Sequence, residues 1–269
     1  MKARLGWLRL IGNQIALRLE SEGASVVVVD IDQVTADETC RLMKHPENNL
    51  AITCDVASSK DVAQVMAQVT QRYGRLDILV NNAGVGTVPG DAFEAHKLRR
   101  QQYLEQVGRG EKPTIFPDRI IDMEDRGFWK LMEINLGGTF YFCREATRLM
   151  IAAESPGSII NIASTSALSG EGAVHYASAK AAMLGLTKSL ARELAPRHIR
   201  VNAVCPGPTN TTRISALGAT RAQALIEGTL INRLCEPNEI AATVAFLASD
   251  EGTAFTGQTL AANGGSYLL

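Results

Sequence analysis

The stretch IINIASTSALSGEGAVHYASAK, residues 159–180, joins a buried strand to the start of a helix. Its apolar beginning predicts a strand over residues 158–162, and the Ala-rich and Leu-rich sequence that follows predicts a helix over residues 175–194. Another β-branched strand is predicted at residues 199–204. A strand, a helix and a strand in this order predict parallel strands joined by a right-handed crossover.

The same alternation of strands and helices extends through nearly the whole chain. The run ASVVVVD at residues 24–30 is mostly β-branched, which is typical of a parallel strand covered on both faces. The sequence therefore predicts an α/β fold class, with one Rossmann-like doubly wound parallel β-sheet flanked by helices on both faces, in a single domain over residues 1–269. Further strands are predicted at residues 50–54, 76–80 and 259–262, and further helices at residues 12–20, 61–73, 128–150 and 237–249.

Two regions interrupt this alternation. Residues 1–5 stand where the first strand is expected, but Lys2 and Arg4 are unusual in a buried central strand. Residues 86–118 form a long polar connection, within which we predict a helical insert at about residues 88–118. The insert is expected to be a flap near the substrate entrance or an oligomer contact, and an inert solvated helix is an equal alternative.

Composition excludes several classes of function. The chain has 269 residues with a net charge of −1, so it lacks the basic surface that nucleic-acid binding requires. It contains no apolar run of about 20 residues, so we predict no membrane span. The five cysteines show neither metal-ligand spacing nor a disulfide framework. We therefore expect a cytoplasmic protein without a metal site.

Polar residues follow several predicted strands, at the edge where parallel sheets bind ligands. Asp30 ends one strand and would accept hydrogen bonds from ribose hydroxyls, although an aspartate there could equally cap a turn. Asp55 and Val56 follow the next strand, and the sequence NNAG at residues 81–84 follows the one after that. The asparagines of this last group could bind a ligand or merely stabilise a turn.

Candidate catalytic residues lie within and before the stretch quoted above. Tyr176 and Lys180 are four positions apart on a predicted helix and share one face, and a nearby ammonium favours the phenolate form that proton transfer needs. Ser164 follows a strand end, where its hydroxyl could contact a substrate carbonyl, and Asn135 lies in a long predicted helix. Each residue also has a purely structural interpretation. Tyr176 and Lys180 could be a packed aromatic ring beside a solvated amine, Ser164 could be a turn hydroxyl, and Asn135 could be a polar residue that kinks its helix.

These motifs resemble those of the short-chain dehydrogenase/reductase family, in its 3-oxoacyl-ACP-reductase-like subgroup. The sequence VNNAG at residues 80–84 resembles the family motif after the fourth strand, and residues 205–211 resemble its Pro-Gly motif. The resemblance implies an oxidoreductase that interconverts a secondary alcohol and a ketone by hydride transfer to or from NAD or NADP. It also implies a small-molecule substrate, a homotetramer or homodimer, and a mobile substrate loop over residues 215–232.

The resemblance assigns a role to each candidate residue. Tyr176 would be the acid/base, Lys180 would bind the nicotinamide ribose and tune Tyr176, and Ser164 would polarise the carbonyl, with Ser166 as the alternative. Asn135 would hold a water that links Lys180 to solvent, whereas His175 is expected to point away from the site. The predicted cofactor-binding residues are Gly6, Gly12, Asp30, Asp55, Val56, Asn82, Ala83, Gly84, Tyr176, Lys180, Pro206, Gly207, Thr209 and Thr211.

The first turn departs from the family pattern TGxxxGIG. Aligning Ile11 and Gly12 with its end places Gly6 at the first glycine and Leu10 at the middle one, where a Cβ hinders approach of a pyrophosphate. A cofactor-impaired protein that acts by binding or as a scaffold is therefore the alternative function. Where the cofactor binds, Asp30 predicts that NAD is preferred over NADP, because a carboxylate repels the 2′-phosphate.

Overall fold

The computed structural model describes residues 10–268, except for the side chain of Arg213. The predicted strand at residues 1–5 and the predicted site residue Gly6 lie outside this range. The strands are β1 Val27–Asp30, β2 Leu50–Thr53, β3 Ile78–Asn81, β4 Gly157–Ile162, β5 Ile199–Val204 and β6 Thr259–Leu260. The longer helices are α1 Ile11–Ser21, α2 Gln33–Arg41, α3 Ser59–Tyr73, α4 Phe93–Gly108, α5 Asp125–Met132, α6 Gly138–Ala152, α7 Val174–Leu194, α8 Ala219–Glu227 and α9 Pro237–Ala248.

Every paired strand in the described range is parallel, which confirms the predicted fold class. The strand β1 pairs with β2, and the other four strands follow one another in the order β3, β4, β5 and β6. In the centre of this second group Ile159 of β4 stands opposite Val201 of β5. The parallel order brings the carboxyl ends of these strands, and the polar residues after them, to one edge of the sheet.

The helices pack on both faces of the sheet, as the neighbouring residues Ile159 and Ile160 show. The side chain of Ile159 packs in the core formed with α3 and α6, whereas that of Ile160 packs in the core formed with α1 and α9. Both side chains are fully buried. Full burial of an aliphatic side chain stabilises the fold by about 1.5–3 kcal/mol, so both layers contribute to holding β4 in the middle of the sheet.

Between the two groups of strands, the described residues line a space of about 560 Å³. Its walls include every residue of β1 and of β3, together with parts of α1 and α3. Among the described residues, neither β1 nor β3 has a ladder partner on the side that faces the cavity. The four residues of β1, three of which are valines, are half buried.

The long helix predicted over residues 128–150 is two helices joined by a π-helical segment. It begins earlier than predicted, at Asp125, and the segment Glu133–Gly137 has the wider π-helical turn between α5 and α6. The predicted substrate loop over residues 215–232 contains the helix α8. None of the helices within residues 10–268 is both long and apolar enough to span a bilayer.

The insert between β3 and α5 contains α4, and none of the residues of this helix is buried. Hydrogen bonds attach α4 to the chain that returns from it. His96 Nδ1 lies 2.8 Å from the Pro117 carbonyl oxygen, and an Arg99 Nη1–H group donates to the Asp118 carbonyl oxygen at 2.7 Å. The helix is therefore held by its own return segment rather than by an apolar core.

Candidate active site

Gly84, Asn135 and Lys180 meet beyond the carboxyl end of β3. A Cβ atom on Gly84 would lie 2.7 Å from Asn135 Oδ1 and 3.7 Å from Lys180 Nζ. The first of these distances is too short for any real side chain, so this approach requires a glycine at position 84. The fold thus brings together three predicted site residues, the first and last of which are 96 positions apart in the sequence.

Asn135 is fully buried and lies in the middle of the π-helical segment. Its Oδ1 atom accepts a hydrogen bond from the Val85 N–H group, and its Nδ2 atom donates one to the Val85 carbonyl oxygen, both at 2.8 Å. The amide therefore fixes the chain just after Gly84, at the point where the long helix changes its pitch. This contact agrees with the interpretation of Asn135 as a helix-kinking residue, and its proposed role in holding a water stays a prediction.

Lys180 places a buried amine beside the ring of Tyr176. Only 4% of Lys180 is exposed, and its ammonium group donates a hydrogen bond to the Ile162 carbonyl oxygen at 2.7 Å. The Nζ atom lies 5.9 Å from the centre of the Tyr176 ring, so the two side chains share one face of α7. Burial lowers the pKa of Lys180 from 10.5 to about 8, an effect that the nearby Cys205 side chain opposes without cancelling it.

Ser164 and Ser166 lie together at the end of β4. The Ser164 hydroxyl donates to Ser166 Oγ at 3.2 Å and accepts a hydrogen bond from the Ser166 N–H group at 3.1 Å. The second contact is the turn arrangement that a serine often adopts after a strand. Because the two hydroxyls are hydrogen-bonded neighbours, either of them could face a substrate, and the choice between them stays open.

The acidic residues at the other strand ends both cap turns. Asp30 Oδ1 accepts a hydrogen bond from the Asp32 N–H group, and Asp55 Oδ1 accepts one from the Ala57 N–H group, each at 3.0 Å. Asp30 has a second carboxylate oxygen for which no bond to a described residue is recorded. Turn capping and ligand binding by Asp30 are therefore compatible. Val56 packs against α6, where a Cβ on Gly138 would lie 3.0 Å from it.

Gly12, near the start of α1, packs directly on Asn82. A Cβ on Gly12 would lie 2.6 Å from Asn82 Nδ2, which explains a glycine at this position. Ala83 and Gly84 follow Asn82 in the chain, and both are exposed at the edge of the sheet. Asn81 has a different function, because its buried Nδ2 atom donates to Asn161 Oδ1 at 2.8 Å and so ties β3 to β4.

The segment Cys205-Pro206-Gly207 follows β5, and its backbone packs closely against another segment of the chain. A Cβ on Gly207 would lie 2.7 Å from the Asn263 backbone and would force two chain segments apart. Thr209 is 4% exposed, and its hydroxyl donates to the Gly207 carbonyl oxygen at 2.9 Å. Thr211 directly precedes the single-turn helix Thr212–Ser215. The motif thus has a structural function, whatever ligand lies against it.

The sequence did not predict the buried cluster of Asp91, Arg119 and His175. Asp91 Oδ2 lies 2.7 Å from Arg119 Nη2 and 3.3 Å from His175 Nε2. His175 is fully buried and directly precedes Tyr176 in α7. The position of His175 beside Tyr176 was the available signal, but its partner is 84 positions away and no local pattern connects them.

Among the described residues, no group of three or more His, Cys, Asp or Glu side chains is arranged to hold a metal ion. The candidate site comprises the Tyr176–Lys180 pair, the serines after β4 and the polar edge formed by the strand ends.

Comparisons with known proteins agree with this geometry. A family model described as "Enoyl-(Acyl carrier protein) reductase" matches residues 6–108 and 103–267. The chain is 32% identical over 269 residues to the 3-oxoacyl-[acyl-carrier-protein] reductase FabG of Staphylococcus epidermidis, covering 98% of this chain and 97% of that protein. It is also 32% identical over 265 residues to the short-chain reductase protein NovJ of Streptomyces niveus, covering 96% of this chain and 90% of that protein.

A solved structure shares the same architecture. A protein from Brucella melitensis, titled a short-chain dehydrogenase/reductase of the glucose/ribitol dehydrogenase type, superimposes with a TM-score of 0.80 at 31% identity. The match covers 98% of this chain and 95% of that one. The sheet, the arrangement of residues around Tyr176 and these matches over nearly the full length lead to one conclusion: the chain is an oxidoreductase that belongs to the short-chain dehydrogenase/reductase family.

Proposed function

We propose that the chain interconverts a secondary alcohol and a ketone by hydride transfer with a nicotinamide cofactor, with Tyr176 as the acid/base. The observation that carries this proposal is the buried Lys180 amine beside the Tyr176 ring. A buried ammonium is costly to maintain unless it has a function or a partner, and its only recorded hydrogen bond to a described residue is to the Ile162 carbonyl oxygen. A perturbed titratable group beside a second one is typical of a catalytic site.

The residues at the site fit the ribose end of such a cofactor. An ammonium group has three hydrogens, and the bond to Ile162 uses one of them, which leaves donors for ribose hydroxyls. Gly84 lets the chain pass close to Asn135 and Lys180, which keeps the backbone after β3 beside the amine. The predicted contacts through Gly6 lie outside the described residues, so the fit rests on the ribose side.

In the proposed reaction each side chain has a limited task. When bound, the nicotinamide supplies or accepts the hydride, which is the difficult part of the chemistry. During reduction the Tyr176 hydroxyl donates its proton to the carbonyl oxygen and becomes a phenolate, and during oxidation the Tyr176 phenolate takes the proton of the substrate hydroxyl. Lys180 stabilises the phenolate that Tyr176 becomes, because a positive charge nearby favours a negative one. Ser164 or Ser166 holds the substrate oxygen with a hydroxyl hydrogen bond.

We further propose that the cofactor is NAD rather than NADP. Asp30 ends β1 at the ligand-binding edge, and the residues after it are Ile31 and Asp32, so no cation follows to accept a 2′-phosphate. A second acidic residue at position 32 adds to the repulsion of a dianionic group.

For the substrate we propose a small ketone, with 3-oxoacyl thioesters as the first class to test. The support is that several similar proteins are named 3-oxoacyl-[acyl-carrier-protein] reductases. We also propose assembly as a homotetramer or homodimer, as expected from the resemblance to the family.

The alternative function is a cofactor-impaired protein that binds a partner. It is favoured by Leu10 before α1, whose Cβ stands where the family pattern has a glycine. A titration of the purified protein with NADH and with NADPH, followed by nicotinamide fluorescence, separates the two functions. Saturable binding with NADH bound more tightly supports the enzyme, and absence of binding to either nucleotide supports the alternative.

A further inference from the structure

We propose that Asp91 and His175 are positioning residues, which join the insert to the first turn of α7 and so hold Tyr176 in place. This inference rests on the proposed function, because it assigns these two residues to the reaction of Tyr176. It concerns a contact made by the insert, since Asp91 lies within the connection between β3 and α5 that contains α4.

Asp91 connects the two ends of the insert. Its carboxylate accepts hydrogen bonds from the Val88 N–H group at 2.8 Å and from the Phe93 N–H group at 2.9 Å, and so it fixes the start of α4. The Arg119 Nε–H group donates to the Asp91 carbonyl oxygen at 2.7 Å. Both the outgoing and the returning segment of the insert are therefore attached to one residue, which is 2% exposed.

The backbone around Asp91 is tightly constrained. Ala92 has a φ of 60°, a left-handed conformation that is unfavourable for a residue with a side chain. A Cβ on Gly127 of α5 would lie 2.3 Å from the Gly90 carbonyl group, so α5 packs directly on this turn. The contacts of Asp91 thus hold a strained turn against the helix that leads to Asn135.

His175 connects this turn to the catalytic helix. It is fully buried in the first turn of α7, its Nε2 atom lies 3.3 Å from Asp91 Oδ2, and its Nδ1 atom has no hydrogen-bond partner. An aspartate that is ionised accepts only, so the Nε2–H group is the donor and Nδ1 the bare acceptor of a neutral ring. Because His175 directly precedes Tyr176, a shift of this ring moves the backbone that carries the catalytic phenol.

The charges of the cluster favour this arrangement around neutral pH. Burial acts to raise the pKa of Asp91, but hydrogen bonds from the Val88 and Phe93 N–H groups and the Arg119 guanidinium outweigh it, so the pKa is lowered. Burial lowers the pKa of His175, against the opposing effect of the Asp91 hydrogen bond. Asp91 is then ionised and His175 neutral, and one donor meets one charged acceptor.

The test compares three variants of the full chain. His175→Leu removes the donor, and His175→Gln keeps an N–H donor of similar reach. Arg99→Gln removes the guanidinium that binds the Asp118 carbonyl oxygen and the Asp122 carboxylate, without touching α7. With NADH and acetoacetyl thioester as substrate, we expect His175→Leu to lower kcat about tenfold or more, which corresponds to about 1.4 kcal/mol, while the Kd for NADH and the KM change less than about threefold. We expect His175→Gln to recover most of kcat and Arg99→Gln to leave it unchanged.

Two kinetic outcomes would overturn the proposal. A folded His175→Leu variant with the same kcat as the wild type would show that the position of Tyr176 does not depend on the Asp91–His175 contact. A parallel loss of kcat, NADH affinity and thermal stability that His175→Gln does not restore would show general destabilisation instead of positioning.

A second measurement keeps the proposal separate from the proposed function. Hydrogen exchange of the backbone amides in the first two turns of α7 needs neither cofactor nor turnover. Faster exchange in these turns of His175→Leu, while Arg99→Gln changes exchange only in α4, supports the Asp91–His175 connection. This holds even if the wild-type protein proves inactive. Unchanged exchange in α7 of His175→Leu refutes the Asp91–His175 connection, whatever the catalytic activity of the protein.

Discussion

Replacing Lys180 with methionine should stabilise the folded protein at neutral pH while removing the amine that we propose takes part in catalysis. The amine is 4% exposed, and its pKa falls from 10.5 to about 8 in the fold because burial disfavours the charged form. At about 1.4 kcal/mol for each pKa unit, keeping Lys180 protonated at pH 7 costs the folded state about 3 kcal/mol. Losing the hydrogen bond to the Ile162 carbonyl oxygen offsets about 1 kcal/mol of the gain.

The pH dependence follows from the same pKa change. Between about pH 8 and pH 10.5 the unfolded chain holds the Lys180 proton and the folded chain does not, so wild-type stability rises with pH across this window. Lys180→Met lacks this dependence. We therefore expect the variant to be more stable by about 2 kcal/mol at pH 7 and to lose that advantage by about pH 10.

Urea denaturation of both proteins at a series of pH values measures this difference directly. Comparing the two proteins at each pH cancels the titration of groups that do not interact with Lys180. A variant that is less stable than wild type at pH 7, or a difference that does not change with pH, would refute the assignment of a buried, destabilised ammonium to Lys180.

Three further predictions concern other parts of the account. Gly207→Ala should destabilise the fold by about 2 kcal/mol or more, because its Cβ would lie 2.7 Å from the Asn263 backbone, whereas Gly185→Ala in open space on α7 should be neutral or slightly stabilising in the same denaturation assay. Asp30→Ser should narrow any preference for NADH over NADPH in the fluorescence titration, since it removes the carboxylate that repels a 2′-phosphate. Ile160→Ala should lower the free energy of unfolding by about 2–5 kcal/mol, because this fully buried side chain lies between β4 and the helices α1 and α9.

Much of the architecture could be predicted from local sequence patterns. Apolar and β-branched runs such as residues 158–162 and 199–204 identify strands because a parallel strand is buried on both faces. The relation of Tyr176 to Lys180 could be predicted for the same reason, since positions four apart share one face of any helix. These features depend on neighbours in the chain and not on its overall path.

Features that depend on distant contacts could not be predicted. The π-helical turn at Glu133–Gly137 goes with the hydrogen bonds of Asn135 to Val85, which is 50 positions away. The Asp91–His175 contact spans 84 positions, and an aspartate and a histidine that far apart give no periodic signal. The choice between Ser164 and Ser166 also needs more than sequence, because the two hydroxyls are bonded to each other.

The cofactor residues occupy an intermediate position. Gly84 was predicted from the resemblance to the family, and the structure gives the physical reason, which is the approach of Asn135 and Lys180 to its backbone. Asp30 was predicted to bind ribose or to cap a turn, and the structure shows the cap, while the ribose contact stays a prediction.

The central claim is that Tyr176, beside the buried Lys180 amine, performs proton transfer for a nicotinamide-dependent reduction. The most direct measurement is the change in nicotinamide absorbance when acetoacetyl thioester is added to wild-type protein and to Tyr176→Phe, each saturated with NADH. We expect oxidation of NADH by the wild-type protein and a rate at least about a hundredfold lower in the variant, with similar NADH binding in both. Equal rates in the two proteins would contradict the assignment of Tyr176 as the acid.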